Sequence, residues 1–167
     1  NVIKTLNTDT MQVSPDVIPV EDGKYFNTII KGSGEYRMYL SSSSSLFGMK
    51  DDGSTVEIIN WVNSDLTGDY IIGLIPIENG EFLVTEQNWS TGNTSVYRLT
   101  KRDAAEIGNV EVINMAMEYT DPYTVEKVKE FNKTNSDYRI TLTDYSEYYE
   151  WDEETEKTIN NTKKQLK

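Results

Sequence analysis

The carboxylates between residues 144 and 156, in the segment DYSEYYEWDEETE, are the side chains with the most obvious chemical potential in this chain. A glycosidase needs two carboxyl groups about 5–10 Å apart, and burial must raise the pKa of one of them. In this segment the acids follow one another along a polar stretch, which is typical of the solvated start of a helix. The segment therefore does not predict catalysis, and we expect the protein not to be an enzyme.

Metal and thiol chemistry is limited by composition, because the 167 residues include no Cys and no His. This excludes disulfides, Cys/His zinc sites, thiol nucleophiles and imidazole bases. A calcium loop is not evident either, since NSDLTGDY at residues 63 to 70 lacks the alternating ligands and terminal Glu of an EF-hand. We expect no metal and no other cofactor.

The charge of the chain limits its partners. There are 28 acidic and 16 basic residues, which gives a formal net charge of −12. Such a field repels phosphate backbones, so we predict that nucleic acid is not a partner. No apolar run approaches the roughly 18 residues that a membrane-spanning helix needs.

The elements that must position any site begin with short strands, from residue 1 to about residue 105. Gly, Asn and Asp cluster between these segments, as at Glu78-Asn79-Gly80, and such residues tolerate the positive φ of tight hairpins. The pattern predicts an antiparallel meander. Seven segments are rich in β-branched and aromatic residues: KYFNTII, EYRMYL, SLFGM, TVEIINW, YIIGLIPI, EFLVTEQ and SVYRLT.

The pattern changes after Lys101. NVEVINMAMEY predicts a strand, Asp121-Pro122 predicts the start of a helix through TVEKVKEF, and SDYRITLTDY predicts a second strand. Strand, helix and strand with short links predict a βαβ unit with two parallel strands. The tail from Glu150 to Lys167 is acidic first and basic last, which predicts a C-terminal helix, either fraying or docked.

Three short matches indicate an internal repeat. IPVEDGKYF at 18 to 26 is similar to IPIENGEFL at 75 to 83, SLFGM to SVYRL, and VEIIN to VEVIN, in the same order along the chain. Two blade-like copies of one antiparallel unit explain the matches, and chance similarity of turn sequences is the alternative. We therefore predict an α+β fold, with a β meander of two blade-like repeats at 1–108 and a βαβ segment plus terminal helix at 109–167.

The segment from Val112 to Tyr148 resembles the start of the first lobe of bacterial extracellular solute-binding proteins of ABC transporters, particularly the carbohydrate-binding class. Upstream, LFGM, DDGS, IINWVNSDL and LTK resemble a propeller-like extension found in some lipoproteins of this type. The resemblance covers residues 45 to 150. The matching positions of the helix end and second strand are Phe131, Asn132, Lys133, Asn135, Asp137, Tyr138, Arg139 and Ile140.

The resemblance implies a ligand site at the carboxyl ends of the two parallel strands, where such clefts lie. Carboxylates and aromatic faces are suited to sugar hydroxyls and sugar rings. The alternative is that the first Asp caps the helix, the first Tyr is an ordinary surface aromatic, and the second Asp ends a strand. The candidate residues are Tyr119, Thr120, Asp121, Asp144 and Tyr145.

Tryptophan offers a second kind of sugar contact. Trp61, Trp89 and Trp151 have the large flat rings on which sugars stack. Two of them end predicted strands, where packing in a core or at an edge explains them as well. We expect packing.

The function implied by the resemblance is non-enzymatic. The chain is expected to be part of a secreted, lipid-anchored solute-binding protein for carbohydrate uptake, with a small-molecule solute and an ABC permease as partners. It is expected to be a monomer outside the cell, held at the membrane of a Gram-positive bacterium by a lipoprotein N-terminus that precedes residue 1. The alternative is an extracellular propeller-like module that contacts a protein or a glycan.

Overall fold

The computed structural model describes residues 2–20, 25–102 and 110–145, together with the backbone of two short strands at 149–152 and 157–160. The fold is α+β, as predicted. Its described strands form five sheets, of which four are antiparallel and one is parallel. No helix in the described ranges is long and apolar enough to cross a membrane.

The strands are short and mostly consecutive in their pairing. In chain order they are β1 (Val2–Asn7), β2 (Gln12–Pro19), β3 (Thr28–Lys31), β4 (Met38–Ser41), β5 (Ser45–Met49), β6 (Thr55–Asn60), β7 (Ile71–Pro76), β8 (Phe82–Gln87), β9 (Thr94–Leu99), β10 (Glu111–Met117), β11 (Tyr138–Asp144), β12 (Tyr149–Asp152) and β13 (Lys157–Asn160). The α-helix α1 (Pro122–Thr134) lies between β10 and β11, and 3₁₀ turns occur at Val62–Ser64, Gly68–Tyr70 and Glu78–Gly80.

The four-stranded sheet β3-β4-β5-β6 lies between two apolar clusters. Successive side chains of a strand point to opposite faces, so neighbours such as Tyr39 and Leu40 enter different clusters. On one face Leu40 and Met49 pack with Ile3 and Ile18 of the β1–β2 hairpin. The other face packs against the three-stranded sheet β7-β8-β9.

The strand β8 carries the cleanest alternation in the chain. Phe82, Val84 and Glu86 are buried, and the residues between them are half-buried. The two apolar members belong to the same apolar cluster as Trp61, which is fully buried. The Trp61 indole N–H donates to the carbonyl of Ser42 at 3.0 Å, which satisfies its one polar atom.

The two copies of the repeat differ in how their strands pair. IPIENGEFL forms the predicted hairpin between β7 and β8, with Asn79 at φ 64° and Gly80 at φ 73°. IPVEDGKYF includes residues 21–24, which lie outside the described residues, and it joins strands of different sheets because β2 pairs with β1 and β3 with β4. The described strands on either side of the first copy therefore do not pair with each other as β7 and β8 do.

The predicted βαβ unit is confirmed. β10 and β11 pair in parallel, from Glu111 opposite Tyr138 to Met117 opposite Asp144, and α1 crosses between them. VEVIN thus belongs to the parallel sheet rather than to the second meander, because α1 returns the chain to lie beside β10. The predicted boundary between residues 108 and 109 lies outside the described residues.

The predicted C-terminal helix is wrong over the described part of the tail. β12 and β13 pair antiparallel there, with residue 149 opposite residue 160. The sequences YEWD and KTIN carry aromatic and β-branched residues that favour strands, and the charge pattern alone does not stabilise an isolated helix. Residues 161–167 lie outside the described residues.

Candidate functional site

The start of α1 decides the role of Asp121. This residue is the N-cap, and its carboxylate accepts hydrogen bonds from the Thr124 backbone N–H at 3.0 Å and the Thr124 hydroxyl at 2.6 Å. The hydrogen bonds from Thr124 hold the pKa of Asp121 below its ordinary value of 3.8. Pro122 follows in the first turn, where its missing N–H costs least. Asp121 therefore caps the helix. This is the role that the sequence offered as the alternative to ligand binding.

The carboxyl ends of β10 and β11 do meet, as the parallel unit predicts. The backbone N–H and the hydroxyl of Thr120 both donate to Oδ2 of Asp144, at 2.8 and 2.5 Å. The backbone N–H of Tyr145 donates to the carbonyl of Met117 at 2.9 Å. Tyr119 lies beside them with its side chain 65% exposed. The ends of β10 and β11 are therefore held together by hydrogen bonds, two of which Asp144 accepts.

A cleft of about 470 Å³ lies between the end of β11 and the β5–β6 pair of the four-stranded sheet. Of the five candidate residues from the sequence, Asp144 is the one that lines it. The other side chains that give the cleft its chemistry were not predicted: Ser45, Phe47, Glu57, Asn60 and Asn63.

Two asparagines of the cleft are held in fixed orientations by the backbone. Oδ1 of Asn60 accepts from the Asn63 N–H at 3.1 Å, and Oδ1 of Asn63 accepts from the Leu142 N–H at 3.2 Å. In the described part of the chain, neither amide Nδ2 has a hydrogen-bond acceptor. Both amides can therefore donate to a ligand without first breaking a bond.

The acidic side of the cleft includes Glu57 on β6. Its carboxylate accepts from the hydroxyl of Ser45, which is 2% exposed, with 2.8 Å between Oγ and Oε2. Glu57 and Asp144 give the cleft two carboxylates, and no Lys or Arg is among its described lining residues. The described residues that line the cleft therefore have a negative formal charge.

A buried ion network fixes α1, and with it the βαβ unit, against the β region. Lys129 Nζ lies 2.9 Å from Oε1 of Glu86 on β8 and 2.9 Å from Oε1 of Glu126, and it also donates to the Thr67 hydroxyl at 3.1 Å. Burial by itself lowers the pKa of Lys129, but the hydrogen bonds and charges of the two glutamates outweigh it and raise that pKa above 10.5. Sequence patterns gave no sign of this network, because a lysine on a helix is ordinarily solvated.

A second link positions β11, and so Asp144, beside β6. Arg139 donates to the Asn63 carbonyl at 2.7 Å and to Oδ1 of Asp65 at 2.9 Å. Val62 also joins a cluster with Val125 and Leu142 of the βαβ unit. The two walls of the cleft are therefore tied together by apolar contacts and by charged hydrogen bonds.

The local signal for the missed side of the cleft is the polar pair Asn60 and Asn63, which flanks the buried residues Trp61 and Val62. Trp61 packs in the core as expected, whereas Trp89 is 61% exposed and the side chain of Trp151 lies outside the described residues. Within the described ranges, no group of three or more metal-ligating side chains is placed to hold a metal ion.

Comparison of the chain with protein-family models, with curated proteins and with solved structures gives no match in any of the three. The geometry of the cleft is therefore the basis on which a function is assigned.

Proposed function

We propose that this chain is a non-enzymatic part of a secreted, lipid-anchored solute-binding protein for ABC-type uptake, and that it binds a small hydroxylated solute such as a carbohydrate. The observation that carries the proposal is that two amides held by the backbone, Asn60 and Asn63, line the same cleft as the carboxylates of Glu57 and Asp144.

The polar groups of the cleft match the hydrogen-bonding capacity of a sugar hydroxyl, which donates one bond and accepts others. Glu57 and Asp144 can accept from hydroxyl groups, and the amide nitrogens of Asn60 and Asn63 can donate to them. Because backbone N–H groups already orient both amides, binding costs little side-chain entropy. Phe47 adds an aromatic surface to the same cleft.

Binding, rather than hydrolysis, fits the placement of the acids. A glycosidase places a buried carboxyl group opposite a second one across the scissile bond. Glu57 is exposed on β6 and holds the hydroxyl of Ser45. Asp144 is engaged by two hydrogen bonds from Thr120. These acids are arranged to hold hydroxyl groups.

Amide NMR spectra of the isotope-labelled chain, titrated with simple sugars, test the binding proposal. We expect the side-chain signals of Asn60 and Asn63 and the backbone signal of Leu142 to shift in a saturable way. Glu57→Ala should weaken the response, whereas Glu78→Ala, at an exposed glutamate in the β7–β8 turn, should leave it unchanged. Shifts that avoid these residues, or none up to high sugar concentration, would disprove solute binding in the cleft.

The transport role is tested by the gene that encodes the chain. We expect a leader with a lipid-bearing cysteine before residue 1 and further α/β sequence after residue 167. A reading frame without them would exclude the lipoprotein role and leave cleft binding to stand by itself.

An extracellular module that contacts a protein or glycan is the second candidate, and the β1–β2 hairpin favours it. Val2, Leu6, Val13 and Val17 of this hairpin are each about half exposed. Contiguous exposed apolar residues are typical of interaction surfaces. Leu6→Ser with Val13→Ser should abolish retention of a protein or glycan partner without affecting sugar shifts in the cleft, and retention that survives both changes would rule out this surface.

A further inference from the structure

We infer that the cleft selects a positively charged hydroxylated solute, one that carries a protonated amine beside its hydroxyl groups. This inference rests on the proposed function, because it names the class of ligand for the same cleft.

The charge of the lining is the first reason. Glu57 and Asp144 contribute two carboxylates, and no lysine or arginine is among the described residues that line the cleft. The nearest basic side chain on β11, Arg139, is directed to Asp65 and the Asn63 carbonyl instead. A cationic sugar would be attracted by the Glu57 carboxylate, whereas a neutral sugar gains no such attraction and an anionic sugar would be repelled.

Glu57 is the group best placed to meet an ammonium. Within the described part of the chain, its only hydrogen-bond partner is the Ser45 hydroxyl on Oε2, so Oε1 is available to a ligand. Ser45 is almost fully buried and fixes the carboxylate on the cleft wall. An ammonium donating to Oε1 would add a charge–charge attraction to the hydrogen bond, which a neutral hydroxyl donating to the same carboxylate lacks.

The aromatic and amide groups complete the match. Phe47 lines the cleft, and its ring is held edge-to-face against Phe26, with 5.9 Å between the ring centroids. An aromatic face attracts a nearby cation as well as the apolar face of a sugar ring. The amides of Asn60 and Asn63 remain to donate to the hydroxyl oxygens of the same ligand. Glu57 and Phe47 would thus bind the amine of the ligand, and the two asparagine amides would bind its hydroxyl groups.

Four ligands with the same sugar ring but different charges distinguish selection by charge from selection by shape. Near pH 6, D-glucosamine is a cation, D-glucose and N-acetyl-D-glucosamine are neutral, and D-glucuronate is an anion. Dissociation constants come from the NMR shifts of the Asn60 and Asn63 side chains. We expect D-glucosamine to bind about threefold or more tightly than D-glucose, D-glucuronate to bind most weakly, and the preference to shrink at about 0.5 M salt.

Glu57→Gln keeps the size of the side chain and an acceptor for Ser45 while removing the charge. It should reduce the ratio of D-glucosamine to D-glucose affinity toward one. Glu78→Gln, which makes the same change outside the cleft, should preserve the ratio.

The outcomes separate this inference from the function on which it rests. Equal affinities for D-glucosamine and D-glucose in the unmodified chain would overturn the charge selection and leave solute binding intact. A preference that persists unchanged in Glu57→Gln and in high salt would also overturn it. Absence of any response to all four ligands would overturn the inference together with solute binding in the cleft.

Discussion

Nζ of Lys129 lies 2.9 Å from Oε1 of Glu86, and both side chains are buried although the residues are 43 positions apart in the chain. The pair joins α1 to β8, and the N–H of Thr67 donates to the same carboxylate oxygen at 2.8 Å. A buried charge is tolerated only when it is paired, so this contact ties the βαβ unit to one position on the β region.

Lys129→Met should strongly destabilise the protein. The change leaves Glu86 buried without its cation, and we expect the free energy of unfolding to fall by about 3 kcal/mol. Adding Glu86→Gln should recover part of the loss, because the buried side chain at position 86 is then neutral and can still accept from the Thr67 N–H. Urea denaturation measures the free energy of unfolding of both variants.

Lys127→Met is the control, because it breaks an exposed ion pair with Glu130 on the same helix and should have a far smaller effect. Equal losses of stability in Lys127→Met and Lys129→Met would contradict the interpretation of a buried network.

Asp121 should stabilise the protein in a pH-dependent way. Its folded-state pKa is lowered by hydrogen bonds from Thr124, so its contribution is present above the unfolded-state pKa near 3.8 and is lost as the pH falls through the folded-state value. Asp121→Asn keeps a capping side chain that does not titrate. The difference in Tm between the unmodified chain and this variant should shrink between about pH 5 and about pH 2, as followed by circular dichroism.

Asp51→Asn is a suitable control for that measurement, since Asp51 is exposed and makes no side-chain hydrogen bond with the described residues. Asp121→Ala removes the cap altogether and should lower the Tm at every pH. A Tm for Asp121→Ala equal to that of the unmodified chain would show that the cap does not stabilise α1.

Asn63 should have separable structural and binding roles. Asn63→Ala leaves the Leu142 N–H without its acceptor, and we expect a loss of about 1–3 kcal/mol in the free energy of unfolding. Asn63→Asp keeps an oxygen for Leu142 but removes the amide donor from the cleft. It should unfold closer to the unmodified chain, bind D-glucose more weakly, and increase the relative preference for D-glucosamine. Identical ligand affinities in Asn63→Asp and the unmodified chain would exclude Asn63 from the site.

Trp61 should report on the packing between the two β sheets. Trp61→Phe removes the hydrogen bond to the Ser42 carbonyl and leaves space in the core, so we expect a loss of about 2 kcal/mol. The fluorescence lost with Trp61 should be blue-shifted and resistant to iodide. Trp89→Phe removes an exposed ring and should remove red-shifted, quenchable emission with little change in stability. Emission from Trp61 that iodide quenches readily would contradict its burial.

Local patterns were sufficient for much of the fold. The positive-φ pair Asn79 and Gly80, the Asp121 cap and the parallel pairing of β10 with β11 follow from residues close to one another in the chain. Turn geometry, helix capping and the handedness of a βαβ crossover are short-range effects, and sequence expresses them directly. The tail was predicted less well, because its charge pattern competes with residues that favour strands.

Most residues of the candidate site could not be predicted from short-range patterns. The sequence by itself determined the meander, the βαβ unit and the arrival of Asp144 at a strand end beside Thr120. Only the tertiary structure decided that Glu57, Asn63 and Asp144 line one cleft, and that Lys129 is buried rather than solvated. These contacts join segments more than 40 residues apart. They depend on how the sheets and the helix pack against one another, and no local pattern of residues determines that packing.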